Sequence, residues 1–302
     1  MLRKTRGFVI IFFVFSIVLF GGYRIWRYTS ADRTLPVIEM DTDTVTVPVD
    51  GGDEAILEGV TATDEKDGDI TDSLFIESRT NFVEKGRFRV TITVSDKDNH
   101  VTKAEREVVY SDYTSPKFSL SGPLKFLTAR ENQDDLDIAS GLSAYDVVDG
   151  NISNNIKISG DYSLLSNTPG EYPMEFAVTN SMGETAKLPV TVTIYSAADE
   201  RGLPEITLKE YLINTPVGNG ADVAALIDQI EYHNDVYRRA DDGNFYTGDY
   251  DEERNPVMIP GDAIRIDTQV DWNTPGVYDV KITYSDDEAG LSNYARCYIV
   301  VY

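Results

Sequence analysis

One short acidic stretch occurs twice in this chain, and its spacing limits the possible fold. Residues 61–71 read TATDEKDGDIT, and residues 143–153 read SAYDVVDGNIS. Five residues recur at a constant offset of 82 positions: Ala62, Asp64, Asp67, Gly68 and Ile70 as Ala144, Asp146, Asp149, Gly150 and Ile152. A repeat of this length predicts a duplicated domain rather than an isolated site.

Segments in which every second residue is apolar occur three times. This alternation predicts a half-buried β-strand. The segments are RFRVTITVSD with Phe88, Val90, Ile92 and Val94 on one face, YPMEFAVTN with Tyr172, Met174, Phe176 and Val178, and VYDVKITYSD with Tyr278, Val280, Ile282 and Tyr284. Together they predict three β-rich domains.

Turn residues bound each of these strands. The turns are EKG at 84–86 and TPG at 168–170 and 274–276, and we expect their glycines to take a positive φ angle. The domains open at Pro36, Pro116 and Pro204 and close with strands ending at Tyr110, Tyr195 and Tyr302. Units of about 80–100 residues with short strands and turns are typical of β-sandwiches.

The N-terminal segment is apolar enough to anchor the chain in a membrane. Residues 8–23, FVIIFFVFSIVLFGGY, carry no charge and have basic residues on both sides. As a helix they span about 24 Å, and adding Arg24 to Trp26 approaches the hydrocarbon core of about 30 Å. Tyr23, Trp26 and Tyr28 would form an aromatic belt. We therefore expect an uncleaved transmembrane signal-anchor.

The alternative for this segment is a cleaved signal peptide. Its best cleavage site follows Ala31, but that site lies well beyond the apolar run, with Arg24 and Arg27 in between. Three basic residues precede the run and two follow it, which places the N-terminus in the cytoplasm and the rest of the chain outside.

Charge and cysteine content exclude some classes of protein. The net charge is −24, and residues 1–28 hold five basic and no acidic residues, which leaves −29 for the remainder. So acidic a surface repels phosphate backbones, which argues against a nucleic-acid partner. The single cysteine, Cys297, rules out an intrachain disulfide. It is in phase with Ala295 and Ile299, so we predict a core residue.

The order of motifs resembles a known family of bacterial immunoglobulin-like domains. P-x-I is followed by A-x-D-x-x-D-G-[DN]-I-[TS], then by G-x-[FY]-x-[VM]-x-[IF] and a last strand. This resembles the type first described in an insecticidal crystal protein, related to cadherin-like and HYR-type modules. Residues 34–112 match best, residues 115–197 clearly, and residues 203–302 only in the first and last strands. The resemblance implies an Ig-like sandwich of a kind common in tandem on bacterial surfaces, and it implies no particular function.

The predicted fold class is all-β, with three tandem Ig-like β-sandwich domains after a single N-terminal transmembrane helix. The predicted parts are residues 1–28, a cytoplasmic tip and signal-anchor, and domains at 34–112, 115–197 and 203–302. The last domain is divergent and carries an acidic insertion. The linkers at 111–115 and 196–202 are short and polar, so we expect domains to sit end to end and project on the order of 100 Å.

One segment has helical rather than strand spacing. In ALIDQIEYHNDVYRR, residues 225–239, we expect Leu226, Ile230 and Tyr237 to share a face of a short helix.

The repeated acidic stretch contains the candidate metal ligands. Asp64, Asp67 and Asp69 could contribute to a calcium site, and we expect no other cofactor. Calcium needs six to eight oxygen ligands. The second copy keeps only the first two of these acids, which favours a turn in which Asp side chains cap backbone N–H groups and Gly takes a positive φ.

A second acidic cluster occupies the insertion of the third domain. Residues 240–256 read ADDGNFYTGDYDEERNP. Tyr246, Tyr250 and Asp251 are the candidate partner-binding residues, because exposed insertions with tyrosines often contact partners. The alternatives are a solvated mobile loop and a second calcium site.

No catalytic constellation is visible in the sequence. His100 and His233 are the only histidines, and G-x-S-x-G, H-E-x-x-H and phosphate-loop motifs do not occur. We expect a non-catalytic, membrane-anchored, extracytoplasmic surface protein that acts as a stalk, adhesin or envelope scaffold and meets a protein or glycan outside. The alternatives are a subunit of a cell-envelope machine and a calcium-dependent binding module. A glycoside-cleaving enzyme is disfavoured, because acid pairs arise by chance in so acidic a chain.

Overall fold

The computed structural model describes residues 2–30, 33–128, 137–160, 168–267 and 269–302, with only the backbone described for 2–6 and 27–30. Helix α1 spans Leu2–Ser30. Its segment Gly7–Trp26 has a mean hydropathy of 2.3, is not buried among the described residues, and is long enough to cross a membrane. A signal sequence would have the same properties. The cleavage site considered after Ala31 and the Tyr28 side chain lie outside the described residues.

The first sandwich is built from two sheets. Its elements are β1 Val37–Met40, β2 Thr44–Val47, a 3₁₀ turn Val49–Gly51, α2 Gly52–Leu57, β3 Val60–Asp64, β4 Gly68–Asp69, a 3₁₀ turn Thr71–Ser73, β5 Phe75–Arg79, β6 Arg87–Ser95 and β7 Val101–Tyr110. The strand orders are β1-β3-β4 and β2-β7-β6-β5. Strand β2 runs parallel to β7, and the other pairs are antiparallel. The alternation in β6 is confirmed, since the side chains from Phe88 to Val94 on its inner face are at most 1% exposed.

The second sandwich repeats this topology. Its elements are β8 Lys117–Leu120, β9 Lys125–Leu127, β10 Leu142–Asp146, β11 Gly150–Asn151, a 3₁₀ turn Ser153–Asn155, β12 Lys157–Gly160, β13 Gly170–Thr179 and β14 Thr185–Tyr195. The strand orders are β11-β10-β8 and β12-β13-β14-β9, with β9 parallel to β14. The same order and the same parallel pair confirm the duplication inferred from the acidic stretch.

The third sandwich is larger. Its elements are β15 Glu205–Leu208, β16 Leu212–Thr215, a 3₁₀ turn Val223–Leu226, β17 Ile227–Tyr232, β18 Asp235–Arg239, β19 Phe245–Tyr250, β20 Pro256–Ile259, a 3₁₀ turn Gly261–Ala263, β21 Ile264–Asp267, β22 Gly276–Asp286 and β23 Leu291–Val301. The strand orders are β15-β17-β18-β19-β20 and β16-β23-β22-β21, with β16 parallel to β23. Cys297 lies fully buried in β23, as predicted.

The short helix expected at 225–239 is wrong. Strands β17 and β18 form a hairpin there, and its turn residues His233 and Asn234 have φ angles of 52° and 70°. Two consecutive positive φ angles are the signature of a type I′ hairpin turn. Ile230 and Tyr237 are buried cross-strand partners. A helix and a hairpin would both place Ile230 and Tyr237 on the same face. The spacing of the apolar residues therefore could not distinguish a helix from a hairpin.

The glycines of the predicted turns do not all behave as expected. Gly86 has a φ of 72°, which confirms the prediction for EKG, but Gly170 and Gly276 have no positive φ. At the TPG turns a tyrosine folds back instead. The hydroxyls of Tyr172 and Tyr278 donate to the carbonyl oxygens of Thr168 and Thr274, at 2.8 and 2.9 Å.

The described chain divides into two compact units, residues 1–113 and 114–302. The second and third sandwiches thus share a unit. Within it, outward-facing residues of β13 and β14 meet outward-facing residues of β22 and β23. The end-to-end arrangement expected from the linkers is therefore wrong for this pair, because their sheets pack face to face.

Candidate functional site

Asp64 holds the first acidic turn together from the inside. Its carboxylate is almost fully buried, and Oδ1 accepts hydrogen bonds from the backbone N–H groups of Lys66 and Asp67, both at 2.9 Å. Gly68 pairs with Asp64 in the strand register and has a φ of 76°. Side-chain capping and a left-handed glycine are the two features of the predicted turn.

Asp146 does the same in the second copy. Its Oδ1 accepts from the backbone N–H groups of Val148 and Asp149, at 2.9 and 3.1 Å, and Gly150 has a φ of 72°. The turn interpretation of the repeated stretch is confirmed in both sandwiches.

The second Asp of the stretch ties this turn to a distant hairpin. The carboxylate of Asp67 accepts from the backbone N–H of Lys97 at 2.9 Å and lies 3.2 Å from its Nζ. The backbone hydrogen bond from Lys97 is the main reason that the pKa of Asp67 is lowered. Asp149 likewise accepts from the backbone N–H and the hydroxyl of Ser181. This role of Asp67 and Asp149 was not predicted from the sequence. A signal for it was present in the sequence, since both copies keep this aspartate, as Asp67 and Asp149, while the neighbouring acidic residues change.

The three candidate metal ligands have separate partners. Asp69 accepts from the backbone N–H of Thr71 at 3.0 Å, and hydrogen bonds from the side chain and backbone of Thr71 lower its pKa. Asp64 faces its own turn and Asp67 faces Lys97. Among the residues that the structure describes, no group of three or more His, Cys, Asp or Glu side chains is placed to hold a metal ion. This arrangement of the three carboxylates does not favour a calcium site. Calcium binding here stays a prediction, which a calcium titration would test.

The acidic insertion of the third domain is a hairpin rather than a loop. Strands β19 and β20 form it, and Asp251 caps its turn by accepting from the backbone N–H groups of Glu253 and Asn255, at 2.9 and 2.8 Å. The hydroxyl of Tyr246 donates to Asp242 at 2.6 Å. Tyr250 is 70% exposed. The three candidate partner residues thus share one hairpin. Tyr246 and Asp251 make hydrogen bonds within it, and Tyr250 and Asp251 are exposed to solvent.

A network of charges joins the second and third sandwiches at Glu171. Its Oε1 accepts from Lys281 Nζ at 2.7 Å and from the Tyr294 hydroxyl at 2.6 Å, and its Oε2 lies 2.9 Å from Arg296 Nη2. Burial alone would raise the pKa of Glu171, but the hydrogen bonds from these three residues outweigh it and lower the pKa to about 2. Arg296 also donates to Asp279 at 2.8 Å. Because the Arg296 side chain is only 9% exposed, its charge depends on these two carboxylates.

Polar contacts to the backbone reinforce this junction. The hydroxyl of Tyr298 bonds to both the N–H and the C=O of Thr191, and Asn214 donates to the carbonyl of Phe118 at 2.9 Å. A cavity of about 210 Å³ lies beside the junction, between β9 and β14 on one side and β15 and β23 on the other. Neither the junction nor the cavity was predicted from the sequence.

Two curated proteins are similar to part of this chain. The pesticidal crystal protein Cry22Aa of Bacillus thuringiensis is 27% identical over 134 residues, which cover 44% of this chain and 18% of that protein. An uncharacterized 81.3 kDa protein of Acholeplasma phage L2 is 28% identical over 131 residues, 41% of this chain and 17% of that protein. The chain thus spans less than a fifth of the length of these relatives. No family model matches the chain.

The alignments of this chain with solved structures are weak in both sequence identity and TM-score. The lipoprotein BT2262 from Bacteroides thetaiotaomicron has a TM-score of 0.23 and 16% identity, covering 61% of this chain and 98% of that one. Drosophila N-cadherin EC1-4 has a TM-score of 0.23 and 13% identity, covering 90% and 76%. At these values the structural likeness carries no functional conclusion. With the similarity to Cry22Aa, the resemblance seen in the sequence holds in a coarse form, that of β-rich modules of Ig-like type.

Proposed function

We propose that this chain is a membrane-anchored, extracytoplasmic, non-catalytic surface protein that works as a stalk, adhesin or envelope scaffold. One observation carries the proposal: the apolar segment Gly7–Trp26 precedes a chain made of β-sandwiches and is not buried among the described residues. The 20 residues of Gly7–Trp26 span about 30 Å as a helix, the thickness of a hydrocarbon core.

The environment of the nucleophile and base candidates supports a non-catalytic role. Burial, with Asp279 nearby, raises the pKa of the Cys297 thiol to about 12, so the thiol is protonated and enclosed at neutral pH. His100 bonds through Nδ1 to Asp96 at 2.7 Å within its hairpin. His233 stacks on Tyr232 with ring centroids 3.9 Å apart. Cys297, His100 and His233 therefore contribute to core packing and to turns, which fits a non-catalytic binding module.

The buried Cys297 provides a direct test of orientation. Because it is the single cysteine and is enclosed, the unmodified chain should not react with a membrane-impermeant maleimide. We would introduce one accessible thiol in the third sandwich by Glu252→Cys, and a matched thiol before the apolar run by Lys4→Cys. In intact protoplasts or spheroplasts, the Glu252→Cys chain should label and the Lys4→Cys chain should not. After permeabilisation, both should label.

The opposite pattern would overturn the proposed orientation. Release of the chain from membranes by alkaline carbonate would overturn the anchor and favour a cleaved signal sequence. A subunit of a cell-envelope assembly would give the same labelling, and co-purification of a fixed membrane partner would separate it from a free-standing adhesin.

A further inference from the structure

The cavity between the second and third sandwiches has the position of a ligand site. Small-molecule sites occur preferentially where domains meet. Its volume of about 210 Å³ far exceeds the space that one water molecule needs, and it lies below the pockets of about 300–1,000 Å³ that hold drug-sized ligands. The cavity therefore suits a ligand with a single ring.

The walls of the cavity mix aromatic rings with uncharged polar groups. Tyr195 and Tyr294 line it from opposite sandwiches, and Leu203 of the connecting segment closes part of it. The hydroxyl-bearing side chains at the wall include Thr193 and Thr207. Aromatic rings offer apolar surface, while hydroxyl groups both donate and accept hydrogen bonds.

Of the four charged side chains that line the cavity, Lys125, Glu200 and Arg296 have charged partners, and Glu205 is exposed to solvent. Glu200 Oε2 accepts from Lys125 Nζ at 2.7 Å and from Asn293 Nδ2 at 2.9 Å. Arg296 faces Asp279 and Glu171. An ionic ligand that engaged Lys125, Glu200 or Arg296 would have to displace the partner of that residue and leave its charge uncompensated, which is costly. A neutral ligand avoids this cost.

We propose that this cavity binds a neutral, hydroxyl-rich ligand of the size of one sugar ring. Such a ring presents apolar C–H groups to the tyrosines and hydroxyl groups to the threonines and to the outer atoms of the Glu200–Lys125–Asn293 cluster. This inference deepens the proposed function, because it names a class of ligand for a surface binding module. It rests on the proposed function only for the extracytoplasmic location in which the ligand would be met.

The test uses the full chain in nanodiscs free of sugar-based detergent. Three probes share one ring and differ in charge: glucose is neutral, glucuronate is an anion and glucosamine is a cation. Saturation-transfer NMR should show saturable binding of glucose, with at least about tenfold weaker binding of the two charged probes. Leu203→Trp fills the cavity and should abolish the glucose signal.

Two further variants keep the test decisive if Leu203→Trp fails to fold. Thr193→Val removes a hydroxyl at the wall and should weaken glucose binding severalfold. Thr185→Val removes a hydroxyl at the far end of the same strand β14 and should leave binding unchanged. The proposal is overturned if glucose does not bind, if a charged probe binds more tightly, or if Thr193→Val and Thr185→Val bind equally. Each of these failures leaves the cysteine-labelling result for membrane orientation intact.

Discussion

The hydroxyl of Tyr298 accepts a hydrogen bond from the backbone N–H of Thr191 and donates one to the carbonyl of the same residue, both at 2.9 Å. Tyr298 belongs to the third sandwich and Thr191 to the second, and the tyrosine is 1% exposed. Burial raises the pKa of Tyr298. One side chain therefore satisfies two backbone groups that face another domain.

Replacing Tyr298 by Phe should weaken the junction between these sandwiches. The substitution leaves the N–H and C=O of Thr191 without their partner, and an unsatisfied buried polar group costs about 1–3 kcal/mol. We expect the thermal midpoint of residues 114–302 within the full chain to fall by several degrees. Tyr250→Phe is the matched control, because Tyr250 is exposed and its loss of a hydroxyl should change little. Equal midpoints for the two variants would contradict the role given to Tyr298.

Acid should weaken the same junction through Glu171. Its pKa is about 2 in the folded chain against an ordinary value of 4.5, so its ionised form stabilises the fold. That contribution is present above about pH 4.5 and is lost as pH falls toward 2. Because the group is partly exposed, solvent screening limits the effect. Urea unfolding at pH 7, 5 and 3 should show the wild type losing its advantage over Glu171→Gln, and a constant difference across this range would refute the assignment.

The buried Asp of the repeated turn should matter more than its exposed neighbour. Asp64→Ala removes the acceptor of two backbone N–H groups, and loss of such a cap costs about 0.5–2 kcal/mol. Asp146→Ala should cost a similar amount in the second sandwich, because Asp146 makes the same two bonds. Glu65→Ala, an exposed acid in the first turn, is the control. Chemical unfolding of the full chain measures all three, and a larger loss for Glu65 would contradict the turn model.

Calcium should leave the thermal midpoint of the chain unchanged if the acidic stretch is only a turn. A ligand present at 100 times its dissociation constant adds about 2.7 kcal/mol. The comparison is a thermal scan with millimolar calcium against a scan with chelator. A rise of several degrees that disappears in Asp67→Asn would establish a metal site in the first sandwich instead.

The sequence predicted the parts of the fold that depend on local pattern. The alternation from Phe88 to Val94 and the Asp-Gly turns specify strands and their ends, because side-chain direction and backbone angles are local properties. The hairpin at His233 was missed, because its turn lacks the glycine of the usual Asn-Gly or Asp-Gly hairpin signal. The TPG turns were misjudged because a tyrosine hydroxyl closes them.

The junction could not be predicted in the same way. Tyr294, Arg296 and Tyr298 alternate with core residues along β23, which is the pattern of an ordinary solvent-facing side of a strand. Only the contacts to Glu171 and Thr191 of the second sandwich show that this side faces another domain. These contacts depend on how whole domains pack. A single sequence does not show which residue of one domain contacts which residue of the other.

The parallel pairs that recur in all three sandwiches have a mechanical consequence. In each sandwich an early strand, β2, β9 or β16, pairs in parallel with the last strand, β7, β14 or β23. Tension applied to the two ends of a sandwich pulls these paired strands along their length in opposite directions. The hydrogen bonds between them then carry the load together and cannot open one at a time. Each sandwich thus resists a pulling force at the pair formed by its early strand and its last strand.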